Sequence, residues 1–421
     1  MKEVCLIIST STHVIDEKNN LMKLMNQMLK STNVFFLPLI GMAFFLGVQD
    51  LQANEPCRFD PFENRWIGDC PRPVVSAVPY LRIAPDARSG AMGDAGIGVS
   101  PDANSIHYNA SKLVFAEDDF ALSATYTPWL RGLVRDVYLA YLGGYYKLDD
   151  MQALGFSLRY FSLGDIQFTD QNGEPLGNGR PNEFDISLSY SRKLGENFSA
   201  GVTGRFIYSN LAAGQTVESV EINAATAAAV DISMTYNAVL SPTSDLSLGL
   251  AITNLGSKVS YTRSQIKDFL PGNLGIGGAW NINFDDYNRL TIALDFNKLL
   301  VPTPLDPLDD GYIERREQSV MSGVISSFGD AGSFRDELRE INISGGVEYW
   351  YVDQFAVRAG YHHEHALKGN RKFLTLGFGV NYNVFGLNFS YLVPTNAQRN
   401  PLDNTLRFSL LFNMEAFDEG A

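Results

Sequence analysis

Charge is scarce in this sequence. Asp, Glu, Lys and Arg make up 19% of its 421 residues, below the usual quarter of a soluble protein. What charge there is leans acidic, with 33 Lys and Arg against 47 Asp and Glu, a formal net of −14. Such a balance repels phosphate backbones and excludes nucleic acid as a partner. Long apolar runs are missing beyond the first fifty residues. No later segment holds eighteen consecutive apolar residues, so no spanning helix is expected in the mature chain. Catalytic motifs are missing too. Gly-x-Ser-x-Gly does not occur, histidines number five, and no serine–histidine–aspartate arrangement can be argued. The expectation is a protein that is not an enzyme and carries no cofactor or metal.

One apolar run is present. Residues 34–48, VFFLPLIGMAFFLGV, have the length of a signal-peptide core and fall short of a bilayer span. Lys23 and Lys30 precede the run, and Leu51-Gln52-Ala53 follows with a small residue at the cut. Residues 1–53 therefore read as a cleaved export signal, with Met22, Met25 or Met28 as alternative starts. An uncleaved membrane anchor is the other reading. Export removes Cys5 and leaves Cys57 and Cys70, thirteen positions apart. In an oxidising compartment such a pair can close a small loop; two free thiols in an arm are the alternative.

After the signal, the dominant pattern has a period of two. Phe184, Ile186, Leu188 and Tyr190 alternate with Asp185, Ser187 and Ser189. Leu290, Ile292, Leu294 and Phe296 alternate with Thr291, Ala293, Asp295 and Asn297. The same holds over 373–382, 385–391 and 406–413. A two-residue period means strands with one apolar face and one polar or small face. Further strands are predicted near 119–128, 134–147, 151–162, 197–210, 226–239, 244–254, 273–283, 339–350 and 354–362, about fourteen in all. Their connections alternate short and long, the habit of an outer-membrane barrel with tight periplasmic turns and longer external loops. An even strand count puts both barrel ends on the periplasmic side. Lipid offers the backbone no hydrogen bonds, so spanning strands must close into a barrel. The apolar faces then meet lipid. Asp185, Arg205, Asp231 and Asp295 face inward and are expected to form a salt-bridged network. Tyr126, Tyr160, Tyr190, Tyr208, Tyr236, Tyr361 and Tyr391 suit an interfacial girdle. The fold class is an all-β transmembrane antiparallel barrel over 119–413, with 54–118 as an arm and glycine-rich periplasmic or hatch-like segment and 414–421 as a periplasmic tail.

Gly90, Gly93, Gly96 and Gly98 precede the first strand. No Lys-Ser or Lys-Thr follows them, which excludes a phosphate loop. They read instead as a close-packed segment in the barrel mouth, where glycine permits close backbone approach. His107, beside Tyr108, reads as a packed histidine. His362, His363, Glu364 and His365 offer metal-ligand chemistry, but their spacing is not His-Glu-x-x-His and a solvated loop is the default. The acidic 300–339 loop lacks EF-hand spacing. Val320, Met321, Val324, Ile325 and Phe328 give it apolar character, which marks a surface for a protein partner.

The run Ala84–Asp94 (APDARSGAMGD), the step Asp102-Ala103-Asn104-Ser105 and the stretch Tyr108-Asn109-Ala110-Ser111-Lys112-Leu113 resemble the N-terminal signature of PorV/PorQ-type proteins. These are similar to the wider FadL-type barrels, where Asn-Pro-Ala-x-Leu follows a glycine-rich stretch; the proline is missing here. The resemblance, over nearly the whole mature chain, assigns Gly90, Gly93, Gly96, Gly98, Asp102 and Asn109 to a hatch-like segment. It implies an outer-membrane component of the type IX secretion system, working with a large translocon barrel, a PorU-like sortase and cargo bearing a C-terminal signal domain. A FadL-like channel for hydrophobic solutes is the alternative. A surface lipid-modifying enzyme would need a clustered nucleophile and base, which the sequence does not offer.

Overall fold

The structure, a computed structural model, describes residues 57–60, 65–68, 70–129, 136–169, 173–217, 220–262, 267–305, 309–396 and 404–414. The export segment 1–53 and residues 415–421 of the expected tail lie outside them. Among the described residues no helix is long and apolar enough to cross a membrane.

Fourteen antiparallel strands close into a barrel. They are β1 (Phe120–Pro128), β2 (Val137–Asp149), β3 (Gln152–Leu163), β4 (Asn182–Lys193), β5 (Phe198–Asn210), β6 (Ala225–Ser241) and β7 (Ser244–Gly256). The circuit continues through β8 (Asn273–Asn283), β9 (Asn288–Leu299), β10 (Ile341–Tyr351), β11 (Phe355–His363), β12 (Lys372–Tyr382), β13 (Phe385–Pro394) and β14 (Leu406–Met414). Each strand pairs with its sequence neighbour, and β14 closes on β1 from Phe408↔Tyr126 to Met414↔Phe120. Closure leaves no unpaired edge, which is the condition for a sheet to cross lipid.

The period-two pattern sorts the side chains into two solvents. Along β4, Glu183, Asp185, Ser187, Ser189 and Ser191 are buried, while Ile186, Leu188 and Tyr190 are exposed. Ser187 is 0% exposed and its neighbour Leu188 is 68% exposed. A water-soluble protein does the reverse; here the apolar side is the one that meets lipid. The seven tyrosines expected in girdles all lie on the outer face. Tyr190 and Tyr236 sit near the short-turn rim, and the other five sit toward the opposite rim. Tyr126, Tyr138 and Tyr160 form a ring-to-ring row there, with centroids 5.6 and 6.1 Å apart.

Connections of two to four residues join β2–β3, β4–β5, β6–β7, β8–β9, β10–β11 and β12–β13, all at one rim. The opposite rim carries the connections 129–136, 164–181, 211–224, 257–272, 300–340, 364–371 and 395–405. Structure inside the long connections was not foreseen. Ile166–Thr169 pairs with Pro175–Gly179 as a hairpin. The 300–340 connection holds helices α1 (Tyr312–Glu317), α2 (Val320–Ser326) and α3 (Phe334–Arg339). Each is at most seven residues long, too short to show a helical period in sequence.

Candidate functional site: a plugged lumen

Residues 79–116 occupy the lumen as a hatch of short helical turns. Asp86 caps Ala87–Gly90 by accepting from Ser89 N–H (2.8 Å), and it also accepts from Tyr108 Oη (2.8 Å). Burial and the nearby Asp102 push the Asp86 carboxyl up. Asn109 caps the 3-10 turn Ala110–Phe115: its side chain accepts from Ser111 N–H and donates to Thr235 Oγ1 of β6 (2.9 Å). Asp102 caps its own turn by accepting from Asn104 N–H (2.8 Å).

The four expected glycines are sites of close approach. A Cβ on Gly90 would lie 2.7 Å from Arg407 Nη1, and one on Gly96 2.6 Å from the Tyr108 ring. A Cβ on Gly93, at φ +70°, would lie 2.6 Å from Tyr361 O, and one on Gly98 2.6 Å from Gly278 C. The wall answers with its own glycines. Gly346 and Gly360 lie against Met92 and Gly93, and Gly249, Gly275 and Gly277 against Ile97. Hatch backbone therefore packs directly on wall backbone.

Charge completes the seating. Glu348 of β10 accepts from Arg88 of the hatch (Nε 2.9 Å, Nη2 2.7 Å) and from Arg358 Nε of β11 (2.6 Å). Burial alone would lower the Arg88 guanidinium, but Glu348 and then Asp102 hold it above its ordinary range. Asp295 of β9 accepts from Gly96 and Ile97 N–H at 2.7 and 2.9 Å. Lys112, itself buried, donates to Gly96 O (2.6 Å) and Val99 O (2.9 Å) from the other side. Burial lowers the Lys112 ammonium to about 8. Thr375 of β12 and Ser409 of β14 accept from Gly93 and Ala87 N–H. The expected salt-bridged network exists as Arg159–Asp185–Arg205–Asp231 on β3 to β6, and Arg159 also donates to Leu81 and Ile83 O. Asp295 is outside that network and serves the hatch instead.

Among the described residues, small cavities remain beside the hatch. One, of about 120 Å³, lies toward the long-loop rim, lined among others by Arg82, Asp94, His107, Tyr108 and Asn254. Another, of about 170 Å³, lies toward the short-turn rim, with Asp102, Glu117, Arg289 and Arg358 in its lining. His107 stands edge-on to Tyr108 at 4.6 Å. Burial, then the charges of Arg159 and Arg205, hold its imidazole well below the usual histidine range. It is a packed, neutral residue.

Other expected candidates scatter. Strand alternation turns His362 inward, where Nδ1 lies 2.9 Å from Ser344 Oγ and the ring stacks on Phe373, while His363 lies beside Tyr361. Glu364 joins Arg82 and Arg371. Among the described residues no three His, Cys, Asp or Glu group to hold a metal. Met321, Ile325 and Phe328 are exposed on the 300–340 connection, with Val320 and Val324 half-buried. Cys57 and Cys70 are both disulfide-bonded. Sequence reasoning passed over Arg88, Glu348, Arg358 and Lys112. The strand members among them, Glu348 and Arg358, stand at inward positions of the alternation, the signal that finds them.

A closed barrel of lipid-facing strands with its lumen occupied by its own N-terminal segment defines an outer-membrane β-barrel. The sequence match is more particular. The family described as Type IX secretion system protein PorV matches residues 69–306, more than half of the chain, and the chain belongs to that family. No curated protein matches it. Among solved structures, the toluene transporter TodX of P. putida is 12% identical, covering 78% of this chain and 98% of its own, with a TM-score of 0.46. The toluene transporter TbuX of Ralstonia pickettii is 9% identical over the same shares, also at 0.46. A FadL homologue of Pseudomonas aeruginosa is 12% identical, covering 79% and 98%, at 0.42.

Proposed function

We propose that this outer-membrane barrel serves type IX protein secretion as a non-enzymatic carrier. It binds cargo by a C-terminal signal domain at the large translocon barrel and delivers it to a surface attachment complex containing a PorU-like sortase. The PorV family membership over residues 69–306 carries this reading. The lumen is in keeping with it: the hatch is seated on the wall by Glu348, Asp295, Thr375 and Ser409, and charged side chains such as Arg82, Asp94, Asp102 and Arg358 reach the cavities beside it. Binding then falls to the external loops. The proposed partner surface is the 300–340 connection, where Ile313, Met321, Ile325, Phe328, Phe334 and Leu338 all expose apolar side chains. Patches of this kind on a surface loop mark protein contacts. We further propose that residues 1–53 are the export signal and that Cys57 pairs with Cys70.

The test is a tagged pull-down from gently solubilised outer membranes, read by mass spectrometry. Recovery of a very large barrel, a sortase-like protein or cargo sharing a C-terminal domain supports the proposal. The triple variant Met321→Asp, Ile325→Asp, Phe328→Asp is expected to lose those partners while the barrel still folds. Recovery of the barrel alone with bound apolar solutes overturns the carrier reading in favour of the channel.

A further inference from the structure

The hatch does more than sit in the lumen: its chain runs from rim to rim. Followed backward from Phe120, Ala103, Ile106 and Leu113 cluster with Ala121, Tyr145 and Ala153 at the short-turn end. Met92, Ala95 and Val99 cluster with Ala279 and Ala293 at mid-height. Val78, Tyr80 and Leu81 cluster with Trp129, Val259 and Leu270 at the long-loop end. Val74 then packs with Val301 of the 300–340 connection. Two backbone hydrogen bonds fix the last stretch. Ala77 N–H donates to Phe269 O, and Arg72 N–H donates to Leu367 O, each at 2.8 Å. Phe269 and Leu367 belong to two different long connections. The barrel's even strand count returns both its ends to the short-turn rim, yet the arm ahead of the hatch arrives at the other one.

We infer that Arg72–Leu81 is an external strap, lying at the cell-surface rim and holding the plug from outside. The hatch is continuous with β1 at its periplasmic end, so that end cannot come free. Movement of the hatch toward the periplasm must pull Tyr80 and Leu81 out of the apolar cluster and break the ties to Phe269 and Leu367. Release of the lumen is thus controlled at the external face, beside the loops that remain open to partners. The charges that flank the strap agree with a fixed position. Glu364 in the 364–371 connection bonds Arg82, just past the strap, at 3.3 Å and Arg371 at 2.9 Å.

Surface labelling tests the placement on the full chain. Val75 is 69% exposed on the strap, Phe328 lies on a long connection and Leu194 on a short one. Each is changed to Cys in a Cys57→Ser, Cys70→Ser background and treated on intact cells with a large, impermeant polyethylene-glycol maleimide. Val75→Cys is expected to label as Phe328→Cys does, while Leu194→Cys labels only after the outer membrane is permeabilised. Protection of Val75→Cys together with Leu194→Cys overturns the inference. The strap itself is tested by conductance across planar bilayers. The double variant Tyr80→Ala, Leu81→Ala is expected to show openings where the unaltered chain is closed; an unchanged closed record overturns the strap. Neither readout requires secretion activity, so both stand apart from the cargo proposal.

Discussion

The two faces of the barrel wall solve opposite problems with residues that are adjacent in the chain. Ser187 and Leu188 are covalent neighbours, one fully buried and one largely exposed. The outer face holds Leu, Ile, Val, Phe and Tyr, and any of them serves because lipid is undemanding about shape. The inner face holds Arg, Asp, Glu, Ser, Thr and Gly, and several of its charged and hydroxyl groups have specific partners. Glu348 has two guanidiniums, Asp295 two amide protons, and Thr375 both donates to Ala91 O and accepts from Gly93 N–H. Specificity is therefore concentrated inside and tolerance outside. Because buried polar groups are costly when left unmatched, the inner face is where single changes cost most.

The largest effect is expected from Glu348→Ala. It strands Arg88 and Arg358 together in a buried site, and breaking a buried pair in this way costs about 3–5 kcal/mol. Denaturant titration of the refolded barrel measures it, and a loss under 1 kcal/mol would mean that the pair does not seat the hatch. The outer face has its own vulnerability, to charge. Leu376 stands mid-strand on β12 and faces outward. Leu376→Arg is expected to cost about 2–4 kcal/mol in bilayers, and Leu376→Met less than about 1.5. Equal losses for the two would show that this face does not meet lipid.

A third prediction uses pH. Lys112 is buried in the hatch with its folded pKa lowered from 10.5 to about 8. Between those values the unfolded chain holds a proton that the folded chain has lost. Stability therefore rises with pH across that window, and the penalty of the buried charge is fully present below it. The rise amounts to at most about 3 kcal/mol. Stability measured from pH 7.5 to 10.5 should climb for the unaltered chain and stay flatter for Lys112→Met.

Most of the architecture was readable before any coordinates, because a period of two needs no partner to be seen. The alternation around Leu188 or Leu376 gives strand, face and inward charge at once, and the short and long connections give the rims. Partners were not readable. Arg88 meets Glu348 across 260 positions, and Ala87 meets Ser409 across 322; neither separation leaves a periodic trace. The glycines announced close approach but not to what, since Tyr361 and Gly278 come from distant strands. The rim reached by Arg72 was hidden for the same reason: parity assigns ends to strands, and the hatch is not a strand.

The smallest effect separates the two faces by adding the same side chain to each. Gly346 of β10 faces inward, and a Cβ there would lie 2.5 Å from Met92 Cβ and 2.6 Å from Met92 O. Gly204 of β5 faces outward with nothing within 4 Å of its Cβ position. Gly346→Val must displace the hatch backbone and is expected to cost about 1–3 kcal/mol, with the hatch opening to protease in the refolded barrel. Gly204→Val adds a β-branched residue to a strand face that meets only lipid, so stability should change by no more than about 0.5 kcal/mol. Both variants carry the same change in strand propensity, so their difference isolates contact with the hatch. If the two melt alike and resist protease alike, the wall glycines are not what lets the hatch backbone approach, and its seat rests on charge alone.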